Sequence, residues 1–454
     1  MRTKALLILF LIAGLSLRSL AQIDPNIASR GSFANPDPWS VHFQLTVVSM
    51  GHGDFPAAYS GRNSMVDTTE KDVTSLTTSF FLGRKLWKGA AAYFNPEVSG
   101  GKGLSGATGM AGFPNGETFR IGNPAPVYYT ARLFIQQNIP LGHTGYTFVS
   151  DDVNQVSDSV PIRRLTISAG KFSLDDFFDD NLYSHDPRSQ FLNWSLMSNG
   201  AWDYPANTRG YTQGGVIELF EPTWAARFSI TQVPRQANGP DLDENIFMYH
   251  GMTLEVEKSF KLFGQPGTIR ALGFTNLTRA PSYAKVLQEV KEGDSSLVNI
   301  FDGTQLSHEH GSKSGWGISA NQGLTNDLGL FLRASWNDGK TATWAFTEID
   351  QSVSGGLVLA GTSWKRPDDR LGGAYVVNGI SSGHQAYLNA GLYGFMIGDG
   401  KLDYAHEGIL ELYYSAKLFA HAYLTGDYQL AHNPGYNKDR GPVNIYAFRV
   451  HIEF

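Results

Sequence analysis

The chain has 454 residues, no cysteine and a formal net charge of −6 dispersed along its length. These facts exclude a disulfide framework, thiolate metal sites and the basic face that a nucleic acid partner needs. Mean hydropathy is slightly negative, which excludes a bundle of membrane helices but not an alternating β-barrel, whose apolar and polar faces cancel in the average.

Arg2 and Lys4 precede an apolar run, Ala5 to Leu17, that ends in the small-residue site Ser19-Leu20-Ala21. This predicts a secretory signal peptide over residues 1–21, cleaved before Gln22. The run is about 13 residues, short of the roughly 20 of a spanning helix. No later stretch is long and apolar enough, so residence in a membrane has to use strands. Residues 22–38 read as a short periplasmic N-terminal segment. No Pro/Ser linker or charge block divides residues 39–454, which read as one domain.

The first strand begins at Trp39, where Trp39, Val41, Phe43, Leu45 and Val47 alternate with Ser40, His42, Gln44 and Thr46. Further strands are expected near Leu76–Gly83, Ala91–Glu97, Tyr128–Ile139, Arg163–Phe172, Gly214–Glu221, Ala225–Gln232, Met252–Lys258, Thr268–Asn276, Gly315–Gln322, Leu328–Trp336, Ser352–Ala360 and Leu371–Val377. Leu410, Leu412 and Tyr414 alternate with Glu411, Tyr413 and Ser415, and the pattern resumes from Leu418 to Leu430. In the last strand Phe448, Val450, Ile452 and Phe454 share one face, and Ala447, Arg449, His451 and Glu453 the other. About 11 residues of this period cross a bilayer when tilted by about 45°.

The tally is about 16 strands, with 14 or 18 left open and an even number required. The fold class is therefore all-β: a transmembrane antiparallel barrel, closed by pairing of the first and last strands so that no edge is exposed. The polar parity carries Arg132, Arg164, Glu218 and Arg227. Such charges suit a wet lumen, whereas a soluble sandwich would have to bury them. A soluble β-protein with solvated charged faces remains the bland alternative.

Two connections exceed simple turns: Val98 to Val127, and Ser173 to Tyr211. Long loops in a compact fold are usually functional. The second is expected to fold inward as a constriction, because it gathers four aspartates from Asp175 to Asp180, then Asp186, Arg188, Asn193, Trp202, Asp203 and Arg209. Planar polar groups beside aromatic rings are what sugar recognition uses. The same residues could instead pack the loop to the wall, with Arg188 and Arg209 tying down the aspartates.

Catalytic readings fare worse. Ser184-His185-Asp186 are adjacent, and triad members come from separate parts of a fold. Ser198-Asn199-Gly200 resembles part of the active-site motif of outer-membrane phospholipases, but Leu196 stands where that family has histidine. His308-Glu309-His310 and the aspartate cluster lack the spacing of a metal motif. No enzyme activity, metal or cofactor is expected.

Residues 183–194 (YSHDPRSQFLNW) and 200–211 (GAWDYPANTRGY) resemble the signature of carbohydrate-selective porins of Gram-negative outer membranes. Supporting blocks are residues 93–97 (YFNPE), 111–117 (AGFPNGE) and 433–443 (NPGYNKDRGPV). The resemblance implies a 16-stranded barrel whose arginine- and acid-lined neck prefers monosaccharides, with downhill diffusion as the mechanism. Arg132, Arg164, Arg188, Arg209 and Arg227 are expected to face Glu97, Glu117, Asp186, Asp203 and Glu218 across that neck. Some relatives carry a periplasmic domain that grips the cell wall, for which the short stretch before Trp39 leaves no room. The chain departs from the pattern near residues 51–56 (GHGDFP) and has Asn207 where aspartate is usual, so another solute (an organic acid, amino acid or ion) stays open as the cargo. The expected partners are small carbohydrates, outer-membrane lipid and the barrel-assembly machinery, reached through the C-terminal Phe454. The chain is expected to act as a monomer or homotrimer.

Overall fold

In a computed structural model, which describes residues 37–117, 124–298 and 307–454, eighteen strands form among the described residues. They are β1 (Trp39–His52), β2 (Glu70–Trp87), β3 (Ala90–Gly101), β4 (Val127–Pro140), β5 (Tyr146–Val149), β6 (Asp158–Pro161), β7 (Arg164–Phe172), β8 (Thr212–Glu221) and β9 (Trp224–Thr231). The chain continues through β10 (His250–Leu262), β11 (Gln265–Thr278), β12 (Gly311–Gly323), β13 (Leu328–Asn337), β14 (Gln351–Gly361), β15 (Arg366–Gly379), β16 (Glu407–Phe419), β17 (Ala422–His432) and β18 (Val443–Glu453). The expected signal peptide and the segment up to residue 36 lie outside the described residues.

Sixteen strands close one antiparallel barrel, and β5 and β6 make a separate two-stranded sheet within the β4–β7 connection. Closure runs through β1 and β18, from Gln44 opposite Glu453 to His52 opposite Ile445. The count and the first-to-last pairing are those the sequence predicts. Hydrocarbon offers no partner for a backbone N–H or C=O, so every strand has to be paired on both sides.

Period-2 patterning decides which side chain meets lipid. In β18 Phe448 is 66% exposed on the outer wall, while its neighbour Arg449 is wholly buried inside. Exposed aromatics ring the barrel at two levels. Trp39, Trp87, Trp224, Phe263 and Phe419 lie at the end with short turns, and Tyr128, Trp316, Trp336, Tyr375 and Tyr446 toward the end with long loops. Trp316 and Trp336 are direct cross-strand partners. Such girdles bracket an apolar band about 25 Å tall, with short turns on the periplasmic side and long loops outside.

Helices are confined to connections: Trp194–Met197, Tyr283–Lys291 and Ser382–Asn389. No described helix is long and apolar enough to cross a membrane.

Candidate functional site

The Ser173–Tyr211 segment enters the lumen and is fixed by the far wall. It leaves β7 through a tight turn, Leu174–Asp176, in which the Ser173 and Asp176 side chains cap each other's backbone. That geometry presents the Asp176 carboxylate to Arg132 of β4, which grips it with two N–H groups at 2.7 and 2.6 Å. Farther along, Arg333 of β13 donates to Asp179 Oδ1 (3.0 Å), the Leu196 carbonyl (2.8 Å) and the Ser184 carbonyl (2.6 Å). Glu411 of β16 accepts the N–H groups of Leu192 and Asn193 at 2.6 and 2.9 Å. Arg449 of β18 donates to the carbonyls of Pro187 and Gln190 at 2.7 and 2.8 Å. Lumenal charges thus satisfy the backbone of an irregular segment, which could not otherwise be buried. Gly329 of β13 permits the contact, since a Cβ there would lie 2.1 Å from the Tyr183 ring.

The first long connection folds inward too. Glu407 accepts the N–H groups of Ala111 and Gly112 at 3.0 and 2.7 Å, and Gly116 N–H donates to the Leu192 carbonyl at 2.6 Å. The sequence favoured one constriction segment, whereas two interlock. The reason is that glycine-rich residues 102–116 form no strand and only one 3-10 turn, Leu104–Gly106, and hide their backbone partners in the wall.

What stays open is a cavity of about 870 Å³ against one side of the barrel. Its wall comes from β1, β2, β3, β4, β7 and β8, six consecutive strands of the ring, and no described residue of β9–β18 lines it. At its centre Arg188, from the inward segment, reaches Glu97 of β3 (3.2 Å), Glu117 (3.2 Å), Gln44 of β1 (2.8 Å) and Ser79 of β2 (3.2 Å). Glu97 also accepts from the hydroxyls of Tyr129, Ser79 and Tyr211, the last at 3.2 Å. Arg209 lies 4.1 Å over the Tyr129 ring and donates to Ser99 at 2.9 Å. Arg164 sits 3.8 Å over Phe220. The neck is therefore a belt of guanidinium, carboxylate and phenol groups, each held by another.

Of the residues singled out from sequence, Glu97, Glu117, Arg132, Arg164, Asp186, Arg188, Arg209 and Glu218 line this cavity. Four do not. Asn193 is buried, caps the Trp194–Met197 helix, and donates to the Gly112 carbonyl and Gln429 at 2.9 and 3.0 Å. Trp202 packs among Phe178 and Tyr204 in the apolar filling. Asp203 is buried and accepts from the N–H groups of Trp344, Ala345, Phe346 and Thr347, at 2.9 to 3.4 Å. Arg227 is locked among Glu218, Glu255 and Glu257 at 3.0 to 3.1 Å, behind the lining. Composition marks a polar loop, but not which polar groups the loop's own backbone consumes.

Sequence reasoning missed Tyr129, Tyr211, Asp176 and Gln44 as lining residues; the first three stood in view as an aromatic pair and an acid opposite arginines. It also missed the β5–β6 hairpin, whose tip lines the cavity. Asp175 Oδ1, His185 Nδ1 and Trp194 Nε1, all on cavity-lining residues, are buried without a hydrogen-bond partner among the described residues. Burial pushes the Asp175 carboxyl up to about 7, against the pull of His185, and burial likewise raises Glu117 despite Arg188.

Residues 70–454 match the model of the carbohydrate-selective porin, OprB family. The chain belongs to that family. It is similar to porin AaxA of Chlamydia abortus, 23% identical over 317 residues that make 68% of this chain and 59% of that one. Porin AaxA of Chlamydia pneumoniae is 22% identical over 300 residues, 65% of this chain and 57% of its own. The chain thus spans under two thirds of the length of these curated relatives. Among solved structures, Pseudomonas putida OprB superposes with a TM-score of 0.66 at 17% identity, covering 92% of this chain and 94% of that one. That likeness shows the fold, a closed 16-stranded barrel.

Proposed function

We propose that the cavity conducts small carbohydrates, monosaccharides foremost, down their concentration gradient. One observation carries this reading. The Arg188–Glu97 node sits in a wet neck, flanked by Tyr129 and Tyr211, with donors and acceptors on all sides. A sugar hydroxyl both donates and accepts, so it exchanges water for guanidinium or carboxylate one group at a time, while its C–H face rests on an aromatic ring. Binding must stay weak enough for release. Glu97, Glu117, Arg132, Arg164, Asp186, Arg188, Arg209 and Glu218 are the residues assigned to this neck; Asn193, Trp202, Asp203 and Arg227 support it from behind.

A second reading has its own observation. The cavity is lined by nine carboxylates against five lysine and arginine side chains, an excess that favours cationic over anionic solutes when sugars are absent.

Export would follow cleavage of residues 1–21, and assembly would use the strand that ends at Phe454. Neither a catalytic step nor a cofactor enters this scheme. Conductance in planar bilayers, with and without glucose or maltooligosaccharides, tests it. Glucose should lower the ionic current and enter liposomes faster than maltose does. A channel whose current ignores sugars, and which swells liposomes faster in a cationic solute than in sugar or in an anionic solute, would leave only the second reading.

A further inference from the structure

Seven connections join barrel strands at the periplasmic end among the described residues, and six of them are tight turns of two or four residues. The seventh, from Leu141 to Arg163, carries β5, β6 and a tip from Ser150 to Ser157. Ordering such a connection costs about 1–2 kcal/mol of backbone entropy per residue, so contacts have to hold it. They do: Arg163 pairs with Glu221 at 2.8 Å on the outer side, and the tip is held from the lumen.

The tip is closed on itself, with Asp152 and Gln155 exchanging N–H to carbonyl bonds at 3.0 Å and Asn154 in the left-handed region at φ 55°. Val156 then seats on the inner wall. Its N–H donates to the Tyr93 hydroxyl at 3.3 Å, and its side chain lies where a Cβ on Gly83 of β2 would fall, 2.8 Å away. Lys85 of β2 pairs with Asp158, His42 of β1 with Asp151 at 3.3 Å, and Ser40 donates to the Asp152 carbonyl at 3.3 Å. The same cavity that Arg188 spans is lined at this end by Lys85, Asp152, Asn154, Val156 and Asp158.

We propose that this hairpin tip is a second filter, in series with the inward segment, through which a solute leaves toward the periplasm. Both filters share one composition, a lysine or arginine beside carboxylates and an apolar rest. A solute that clears both is compact and neutral or zwitterionic, able to satisfy both signs of charge in turn. Two necks at different depths, one built on the inward segment and one on the hairpin tip, also make the pore asymmetric along its axis, so that current depends on the sign of the voltage.

The test replaces Ser150–Ser157 by Asn-Gly, a turn that lets β5 and β6 keep their pairing. Gly83→Val is made in parallel, to dislodge Val156 without shortening the chain, and Asp158→Asn to cut the tie to Lys85. Folding is read from heat-dependent migration on gels. The expected result is a conductance raised about twofold in the trimmed protein, with a larger size limit for sugar alcohols in liposome swelling and loss of current asymmetry. Gly83→Val should move the same way by a smaller factor. The proposal is overturned if any variant that folds, with its tip removed or dislodged, keeps the wild-type conductance, size limit and asymmetry. It takes from the proposed function only that solutes cross this cavity. Failure of sugars to block the wild-type pore would sink that reading and leave the size-limit measurement decisive here.

Discussion

Arg188 on the inward segment lies 3.2 Å from Glu97 on β3, and through this pair a loop and a barrel wall share one charge network. Glu97 is nearly inaccessible, so losing its partner would strand a carboxylate among phenols. Breaking a buried pair from one side costs on the order of 3–5 kcal/mol. Arg188→Ala is therefore expected to loosen the segment, raise conductance and weaken block by glucose. Arg188→Lys should restore charge without the fork that reaches four acceptors, so block recovers only in part. Titrating current against glucose for the two variants checks both statements; equal block in all three proteins would detach this pair from solute binding.

Acidity should alter ion preference. Burial raises the Asp175 carboxyl to about 7, so it gains charge as pH climbs past neutrality, and burial raises Glu117 as well. The lumen becomes more negative in that window, and the reversal potential in a salt gradient should shift toward stronger cation preference. Asp175→Asn should flatten the shift. For stability the sign is opposite to that of a salt-bridged acid. The raised folded-state value favours the packed segment below the unfolded value near 4, and that contribution fades as pH rises through about 7.

Gly329 is a steric requirement. With a Cβ 2.1 Å from the Tyr183 ring, Gly329→Val would force the segment off β13 while leaving β12–β13 and β13–β14 pairing intact. Conductance should rise and fluctuate, and the heat-modifiable barrel should persist. Tyr183→Ala added to that variant should quiet the current again; a second substitution that changes nothing would place the clash elsewhere.

Asp203 predicts the reverse pattern. Its carboxylate gathers four backbone N–H groups from residues 344–347, charge-assisted bonds worth roughly 1.5–3 kcal/mol each. Asp203→Ala should lower the temperature at which the folded band is lost. The order of sugar preference should not change, because the carboxylate does not reach the cavity.

Phe454 closes the seam, exchanging backbone bonds with Phe43 at 2.9 and 3.1 Å and stacking on His421 at 4.7 Å. Phe454→Ala should slow accumulation of folded barrel in the outer membrane, read by pulse-chase gel migration. Conductance per assembled channel should stay as in the wild type.

Alternation made the barrel legible, because one strand such as Val443–Glu453 has to present Phe448 to lipid and Arg449 to the lumen, and no other element has that period. The site was legible only in part. Glu97, Arg132 and Arg188 were reachable as charges on the polar parity or within a polar loop. Asp203 and Asn193 have the same chemistry but are consumed by backbone N–H and carbonyl groups brought from 80 or more residues away. The hairpin over residues 146–161 stayed hidden because its strands are four residues long, too short for alternation to register, although a 23-residue gap between β4 and β7 marked its place.

The cavity keeps to six adjacent strands, while the other ten hold the filling in position. A change of cargo thus needs new side chains on one arc of the cylinder and on the inward segments that face it. The remaining arc works as a mould: as long as Arg333, Glu411 and Arg449 keep their grip, the lining opposite is free to be rewritten without recasting the barrel.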